Sequence, residues 1–143
     1  MDTLKKFYTW CIRHALVLII ALALLLRLFN LSTNPPSLNW DEVSMGYAAY
    51  SIIETGRDEW GESYPLLFRS YGEWKSPVYI YLLVPFIQTF GLNAWGVRLP
   101  SAIAGVLAVY LTYLITTRIY SKKIGLAAAF FLAVSPWHLM LSR

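Results

Sequence analysis

Four apolar runs alternate with polar segments along the chain. Residues 14–31, 99–117 and 124–141 form runs of 18, 19 and 18 residues, close to the roughly 20 that cross a hydrocarbon core as a helix. The fourth run, residues 77–90, carries no charge but is short for a crossing and contains Pro85. We predict three transmembrane helices, with residues 77–90 as a re-entrant or interfacial helix.

Basic residues flank these runs and predict the orientation of the chain. One cluster precedes the first run and another lies between the last two: Lys5, Lys6 and Arg13, then Arg118, Lys122 and Lys123. If residues 77–90 crossed the membrane, the two clusters would lie on opposite sides, which the positive-inside rule disfavours. We therefore expect both clusters and the N-terminus in the cytoplasm, with residues 32–98 as one loop on the outer face.

Composition supports a membrane protein. Of 143 residues, 57% are hydrophobic and 14% charged, whereas soluble domains carry about 25% charged residues. The aromatic content of 16% excludes a disordered chain, and the single cysteine, Cys11, cannot form an internal disulfide. The net charge of +4 comes from scattered Lys and Arg residues, so we expect no nucleic-acid partner. The predicted fold class is an all-α membrane protein with amphipathic juxtamembrane helices in its first outer loop.

The candidate chemistry lies in that loop, which holds seven of the eight acidic residues: Asp41, Glu42, Glu54, Asp58, Glu59, Glu62 and Glu73. Asn39 and Glu42 have the spacing of a capping box, which predicts a helix over residues 43–55 that ends at Gly56. Asp41 and Glu42 would then lie in the first helical turn, where the macrodipole favours the ionised carboxylate. Such a carboxylate accepts a proton from an acceptor hydroxyl or amine, or binds a cation. Simple helix capping explains the same residues.

Lys75 stands just before the helix predicted at residues 77–90. Ser76 and Pro77 suit its N-cap and first helical position. The lysine ammonium and free helix N–H groups would there bind an anion such as a phosphate. Alternatively, Lys75 snorkels and anchors the helix to lipid head groups. Glu73 is either a metal ligand or the surface partner of Lys75, and both interpretations stay open.

Ionisable residues also lie at the ends of the predicted crossings. Arg27, near the outer end of the first crossing, either snorkels or faces a polar cavity, and we favour snorkelling. His138 and Arg143 lie at the outer end of the third crossing, where they suit an interfacial pair that marks the end of the helix. Their positions alone give these side chains no catalytic role.

Four stretches of the chain, in order, resemble the N-terminal part of the GT-C glycosyltransferases, the group that contains the protein O-mannosyltransferases and the lipid A aminoarabinose transferase. They read NWDEVSMGYAAYSIIETG, WKSPVYIYLLVPF, GLNAWGVRLPSAIAG and SPWHLMLSR. The resemblance extends over nearly the whole chain, and its implied layout of a long outer first loop agrees with the predicted topology. Because family members have many more crossings, it also implies that this chain is an N-terminal fragment and is inactive alone.

The resemblance implies roles for individual residues. The family takes its sugar from a polyprenyl-phosphate donor. By resemblance Asp41, with Glu42 as its neighbour, acts at the acceptor as a base or orienting group. Lys75 matches the lysine that helps to hold the lipid phosphate in the aminoarabinose enzyme.

Two further positions match the family less closely. Some relatives have a metal-binding glutamate directly before that lysine, whereas this chain has Trp74 there and Glu73 one step earlier. The resemblance therefore implies no certain cofactor and leaves a divalent metal at Glu73 open. Arg143 resembles the opening of a second outer loop that contributes further donor contacts.

Together these inferences predict an inverting glycosyltransferase of the cell membrane. It would move a sugar from a polyprenyl-phosphate donor to a lipid, glycan or protein acceptor on the outer face, by direct displacement. One alternative is a small non-catalytic subunit or adaptor that binds a partner through its outer loop. Another is a segment of a transporter, which would move its substrate without covalent change.

The topology is testable by cysteine labelling of intact cells in a Cys11→Ser background. We expect Ser63→Cys to react with an impermeant thiol reagent, because residue 63 lies in the predicted outer loop, and Ser121→Cys to stay unlabelled because the basic loop is cytoplasmic. Both positions should be labelled after the membrane is permeabilised. The opposite pattern in intact cells would contradict the three-crossing topology.

Overall fold

The computed structural model describes residues 2–142 of the chain, with the side chains of residues 14–142. Its elements in chain order are α1 (Asp2–Leu28), α2 (Trp40–Thr55), β1 (Phe68–Ser70), β2 (Glu73–Lys75), α3 (Pro77–Phe90), α4 (Ala94–Ile119), α5 (Lys122–Val134) and α6 (Pro136–Leu141). The fold is mostly helical, as predicted. Two compact units divide the chain, and their boundary falls within α4: one is Asn30–Ser101, and the other comprises the residues up to Phe29 and from Ala102 onward.

The apolar runs all fold as helix. Among the helices with described side chains, one is long and apolar enough to cross a membrane, the 26-residue α4 (Ala94–Ile119), which contains the predicted crossing at 99–117. His14–Leu28 and Pro77–Phe90 are shorter apolar helices. The helix predicted at residues 77–90 is present with those bounds. The number of crossings and their orientation stay predictions.

The third predicted crossing differs from expectation. Residues 124–141 do not form one continuous helix, because α5 ends at Val134 and α6 begins at Pro136. Ser135 between them has an extended backbone, with φ −60° and ψ 119°. A proline disfavours helical geometry in the residue before it and suits the first position of a new helix. Pro136 therefore divides this run.

Within the unit Asn30–Ser101, α2 and α3 pack against each other. Their shared core consists of Ala48, Ala49, Ile52, Phe68, Ile80, Leu83 and Ile87. A side chain at Gly46 would lie 2.9 Å from Val97 Cγ2, so the glycine allows the first turns of α4 to approach α2 closely. The phenol of Tyr79 donates a hydrogen bond of 2.8 Å to the carbonyl of Val97, which joins α3 to the same part of α4.

A two-stranded antiparallel hairpin interrupts the helices of this unit. Phe68 pairs with Lys75 and Ser70 pairs with Glu73, around a turn in which Tyr71 and Gly72 both have positive φ. Positive φ at both central residues is the geometry of a type I′ turn, which suits the twist of a hairpin. The prediction of an all-helical loop missed these strands, because three-residue strands are too short to show an alternating pattern.

A buried arginine joins the beginning of the loop to α2. Arg98 is 1% exposed, and each of its five N–H groups has an acceptor. Its Nε and Nη2 donate to the two carboxylate oxygens of Glu42, at 2.7 and 3.1 Å. The other three bonds go to the carbonyls of Leu31, Pro35 and Ser37, at 3.0, 3.0 and 2.9 Å. This arginine clamp fixes the segment before α2 as well as its first turn.

The other unit joins α1 to α5 through small side chains. Its core comprises Ile19, Ala23, Val109, Ala129 and Ala133. A side chain at Gly125 would lie 2.2 Å from Thr117 Oγ1, so only glycine allows α5 to lie against α4 at that point. Small residues at helix contacts are typical of membrane proteins, in which close packing rather than the hydrophobic effect joins helices.

The snorkelling interpretation of Arg27 is wrong. Its side chain is fully buried, and its guanidinium contacts the carbonyl of Ala23, the carbonyl of Ala133 and Nδ1 of His138. A side chain at Gly105 would lie 2.7 Å from Arg27 Nε, so this glycine makes room for the arginine. His138 therefore pairs with Arg27, while Arg143, its expected partner, lies outside the described residues.

We predict that the arginine clamp dominates the stability of its unit. Arg98→Met should lower the free energy of unfolding by about 3 kcal/mol, because it leaves a mostly buried carboxylate unpaired. Arg98→Lys should recover only part of the loss, since an ammonium cannot reproduce the bidentate contact. Arg57→Met, which removes an exposed arginine, is the matched control. Denaturant unfolding of the chain in detergent, followed by circular dichroism, measures all three. A similar effect of Arg98→Met and Arg57→Met would contradict the prediction.

Candidate active site

The first turn of α2 positions Asp41. Asn39 accepts a hydrogen bond of 2.8 Å from the backbone N–H of Glu42, and the Glu42 side chain accepts one of 2.8 Å from the backbone N–H of Asn39. The predicted capping box is therefore confirmed. Gly56 ends the helix in the left-handed conformation, with φ 68°, which glycine adopts without steric penalty. The local sequence thus determines where Asp41 stands on its helix.

The hairpin and the start of α3 position Lys75. This lysine is the last residue of β2, and α3 begins two residues later at Pro77. Ser76 occupies the N-cap position as predicted, but its side chain makes no capping hydrogen bond. The backbone N–H groups of the first turn are therefore not capped by Ser76, and they lie close in sequence to the lysine.

Tertiary packing brings Asp41 and Lys75 together. Lys75 Nζ contacts Asp41 Oδ1, from 34 residues away in the sequence, and lies 3.2 Å from Glu73 Oε1. The Lys75 side chain is 11% exposed, whereas those of Asp41 and Glu73 are 46% and 65% exposed. The ammonium is thus enclosed while both carboxylates reach solvent.

Two opposing effects act on the charge of Lys75. Burial lowers its pKa, but the hydrogen bonds and negative charges of Asp41 and Glu73 together outweigh burial and raise the pKa above its usual value. The side chain is consequently an ammonium cation at neutral pH. A cation beside a helix N-terminus is suited to binding a phosphate.

Glu42 is engaged quite differently from its neighbour. Both of its oxygens accept hydrogen bonds from Arg98, and one also accepts the backbone N–H of Asn39. Its side chain is 16% exposed. Because these contacts use the carboxylate from two sides, Glu42 holds α2 in place and is poorly available to accept a proton from a substrate.

A buried hydroxyl pair joins α2 to the hairpin. Ser44 Oγ lies 2.6 Å from Ser70 Oγ, and both residues are buried. Ser44 is three residues after Asp41, and Ser70 pairs with Glu73 across the hairpin. This contact holds the helix carrying Asp41 against the hairpin carrying Lys75.

The remaining sequence candidates are placed as follows. Glu73 lies beside Lys75, which is the partner interpretation of that residue. Within the described part of the chain, no three His, Cys, Asp or Glu side chains gather as a metal site. Arg143 lies outside the described residues, so its predicted donor contact stays a prediction.

Sequence reasoning missed two residues that shape the site. Arg98 was recognised only as a letter in the stretch GLNAWGVRLPSAIAG, although a lone cation within an apolar stretch signals a buried partner. Ser70 gave no signal, because an isolated serine near a turn is ordinary in any loop. Both act through partners far away in the sequence, Glu42 and Ser44.

Comparisons with known proteins agree with the resemblance. Residues 74–143 match the family described as dolichyl-phosphate-mannose-protein mannosyltransferase. A Bacillus subtilis (strain 168) protein that carries the name of a mannosyltransferase is 32% identical over 69 residues, which cover 48% of this chain and 10% of that protein. The dolichyl-phosphooligosaccharide-protein glycotransferase 2 of Pyrococcus horikoshii is 34% identical over 77 residues, 53% of this chain and 10% of that protein.

The matched region includes Lys75 and Arg98 and begins after Asp41 and Glu42. The chain spans about a tenth of the length of each of these relatives. No solved structure matches the chain significantly. The family match and the two relatives together identify the chain as a segment of a GT-C glycosyltransferase related to the protein mannosyltransferases.

Proposed function

We propose that this chain supplies the acceptor base and part of the donor-phosphate site of an inverting glycosyltransferase. The donor is a sugar linked to a polyprenyl phosphate, and the acceptor is a lipid, glycan or protein on the outer face of the membrane. The contact between Asp41 and Lys75 is the observation that carries this proposal. It joins the carboxylate and the cation that the displacement needs, although they belong to different elements.

Asp41 is the acceptor base in this proposal. Its carboxylate stands in the first turn of α2 and is 46% exposed, so a substrate can reach it. It takes the proton of the acceptor hydroxyl or amine as that atom forms a bond to the anomeric carbon. On the other face of this carbon, the bond to the phosphate oxygen breaks with its electron pair, which inverts the configuration.

Lys75 stabilises the leaving phosphate. The phosphate gains negative charge as the glycosidic bond breaks, and a fixed cation in an enclosed site stabilises that charge more than water does. The first turn of α3 begins two residues after Lys75, and its uncapped N–H groups point toward the N-terminal end of the helix. Arg143 is proposed, by resemblance alone, to add a further donor contact.

Glu42 and Arg98 are positioning residues in this mechanism. Their bidentate pair fixes the first turn of α2, and Asp41 lies within that turn. Geometry held to within a fraction of an ångström matters because misplacement of a base by about 1 Å can reduce a rate by about a hundredfold. Asp41 and Glu42 therefore divide the work, with one carboxylate exposed to substrate and the other held by the arginine.

The base role of Asp41 is testable in membranes that contain the protein. Asp41→Asn should lower the rate of sugar transfer by at least about a hundredfold, because the amide keeps the volume but cannot take a proton. Protein abundance in the membrane should not change, since Asn39 rather than Asp41 caps α2. Glu59→Gln, at an exposed acidic residue of the same loop, is the control. Near-normal turnover of Asp41→Asn would show that this residue is not the base and would favour the adaptor alternative.

The phosphate role of Lys75 predicts a change in donor affinity. Lys75→Met should raise the donor KM about thirtyfold, which corresponds to about 2 kcal/mol for one lost charge-assisted hydrogen bond. Lys75→Arg should also impair the site, because the guanidinium is larger and planar, whereas a lysine that only anchors lipid tolerates arginine. Arg57→Met serves as a control for loss of a positive charge. An unchanged KM in Lys75→Met would place the phosphate elsewhere.

A further inference from the structure

The resting contact of Lys75 leaves no room for a substrate. Its ammonium touches Asp41 directly and lies 3.2 Å from Glu73. The three charges sum to about −1, which repels a phosphate. Since the side chain is only 11% exposed, little of the ammonium surface is free for a third partner.

Inverting displacement requires a different arrangement of the same groups. The base and the leaving group act on opposite faces of the anomeric carbon, so the sugar must lie between Asp41 and the phosphate that Lys75 holds. In inverting glycosidases, the two catalytic carboxyl groups stand about 6.5–9.5 Å apart for a comparable reason. A direct contact between the base and the phosphate-binding cation is therefore incompatible with a bound donor.

We propose that the pair Asp41–Lys75 is a latch that the donor phosphate opens. The phosphate replaces Asp41 on the lysine, and the released carboxylate becomes free to take the proton of the acceptor. This inference rests on the proposed function and adds an order of events, in which donor binding precedes activation of the acceptor. Without donor, the oxygen that would act as base stays bound to the ammonium.

Asp41 rather than Glu73 is the carboxylate that leaves. Glu73 stands two residues from Lys75 on the same strand, so both side chains lie on one face of the hairpin and move together. Asp41 belongs to α2, and its contact with Lys75 spans 34 residues. A ligand that enters between helix and hairpin separates this contact and leaves the local one intact.

Competition between phosphate and Asp41 predicts that removal of the carboxylate tightens donor binding. The test is a calorimetric titration of the chain in detergent with farnesyl phosphate, a short polyprenyl monophosphate, at constant ionic strength. Asp41→Asn should lower the Kd about two- to fivefold, the range expected when a partly exposed ion pair no longer competes. Glu73→Gln removes the same charge from the other partner and should have a smaller effect.

The direction of the change separates the explanations. An unchanged or weaker affinity in Asp41→Asn would overturn the latch, because it would mean that Asp41 does not compete for the lysine or helps to orient it. An effect of Glu73→Gln as large as that of Asp41→Asn would also overturn it, since general repulsion would then explain both. Equal affinity in Lys75→Met and the parent chain would instead refute the proposed donor site itself.

A second substitution guards against loss of structure. Asp41→Ser keeps a short polar side chain in the first turn of α2, and the cap at Asn39 does not depend on it. The same two- to fivefold tightening is expected. Helical content from circular dichroism should match the parent chain for both variants.

Discussion

The buried guanidinium of Arg98 imposes the main constraint on the loop unit. A charge with almost no exposed surface is tolerated only if an opposite charge and acceptors for every N–H group surround it. Glu42 supplies the charge, and three backbone carbonyls supply the remaining acceptors. The segment before α2, the first turn of α2 and the start of α4 are consequently held by one side chain. The position of Asp41 follows from this constraint.

The same constraint separates the roles of two adjacent carboxylates. Neighbouring residues of a helix point about 100° apart, so the turn that directs Glu42 to Arg98 directs Asp41 elsewhere. Asp41 meets Lys75, which the hairpin presents from the other side. A structural ion pair and a candidate catalytic pair therefore lie side by side, and the rigid one supports the one that must open.

Charged groups in the second unit obey a related rule. Arg27 lies within an apolar helix and is buried against His138 and two carbonyls. Gly105 provides the space that the guanidinium occupies. Whereas a long cationic side chain near a helix end can reach the water, one with nearby acceptors in the protein can be satisfied there. The available partners, rather than position along the helix, decided its placement.

The sequence by itself determined the features that depend on neighbours within about four residues. The capping box at Asn39, the end of α2 at Gly56 and the start of α3 at Pro77 each rest on a local hydrogen bond or a restricted backbone angle. Tertiary structure decided which charges meet. Glu42 finds Arg98 across 56 residues and Asp41 finds Lys75 across 34, and no local pattern encodes such distances. Those partners depend on how α2, the hairpin and α4 pack, because only packing removes the alternatives that water offers to each charge.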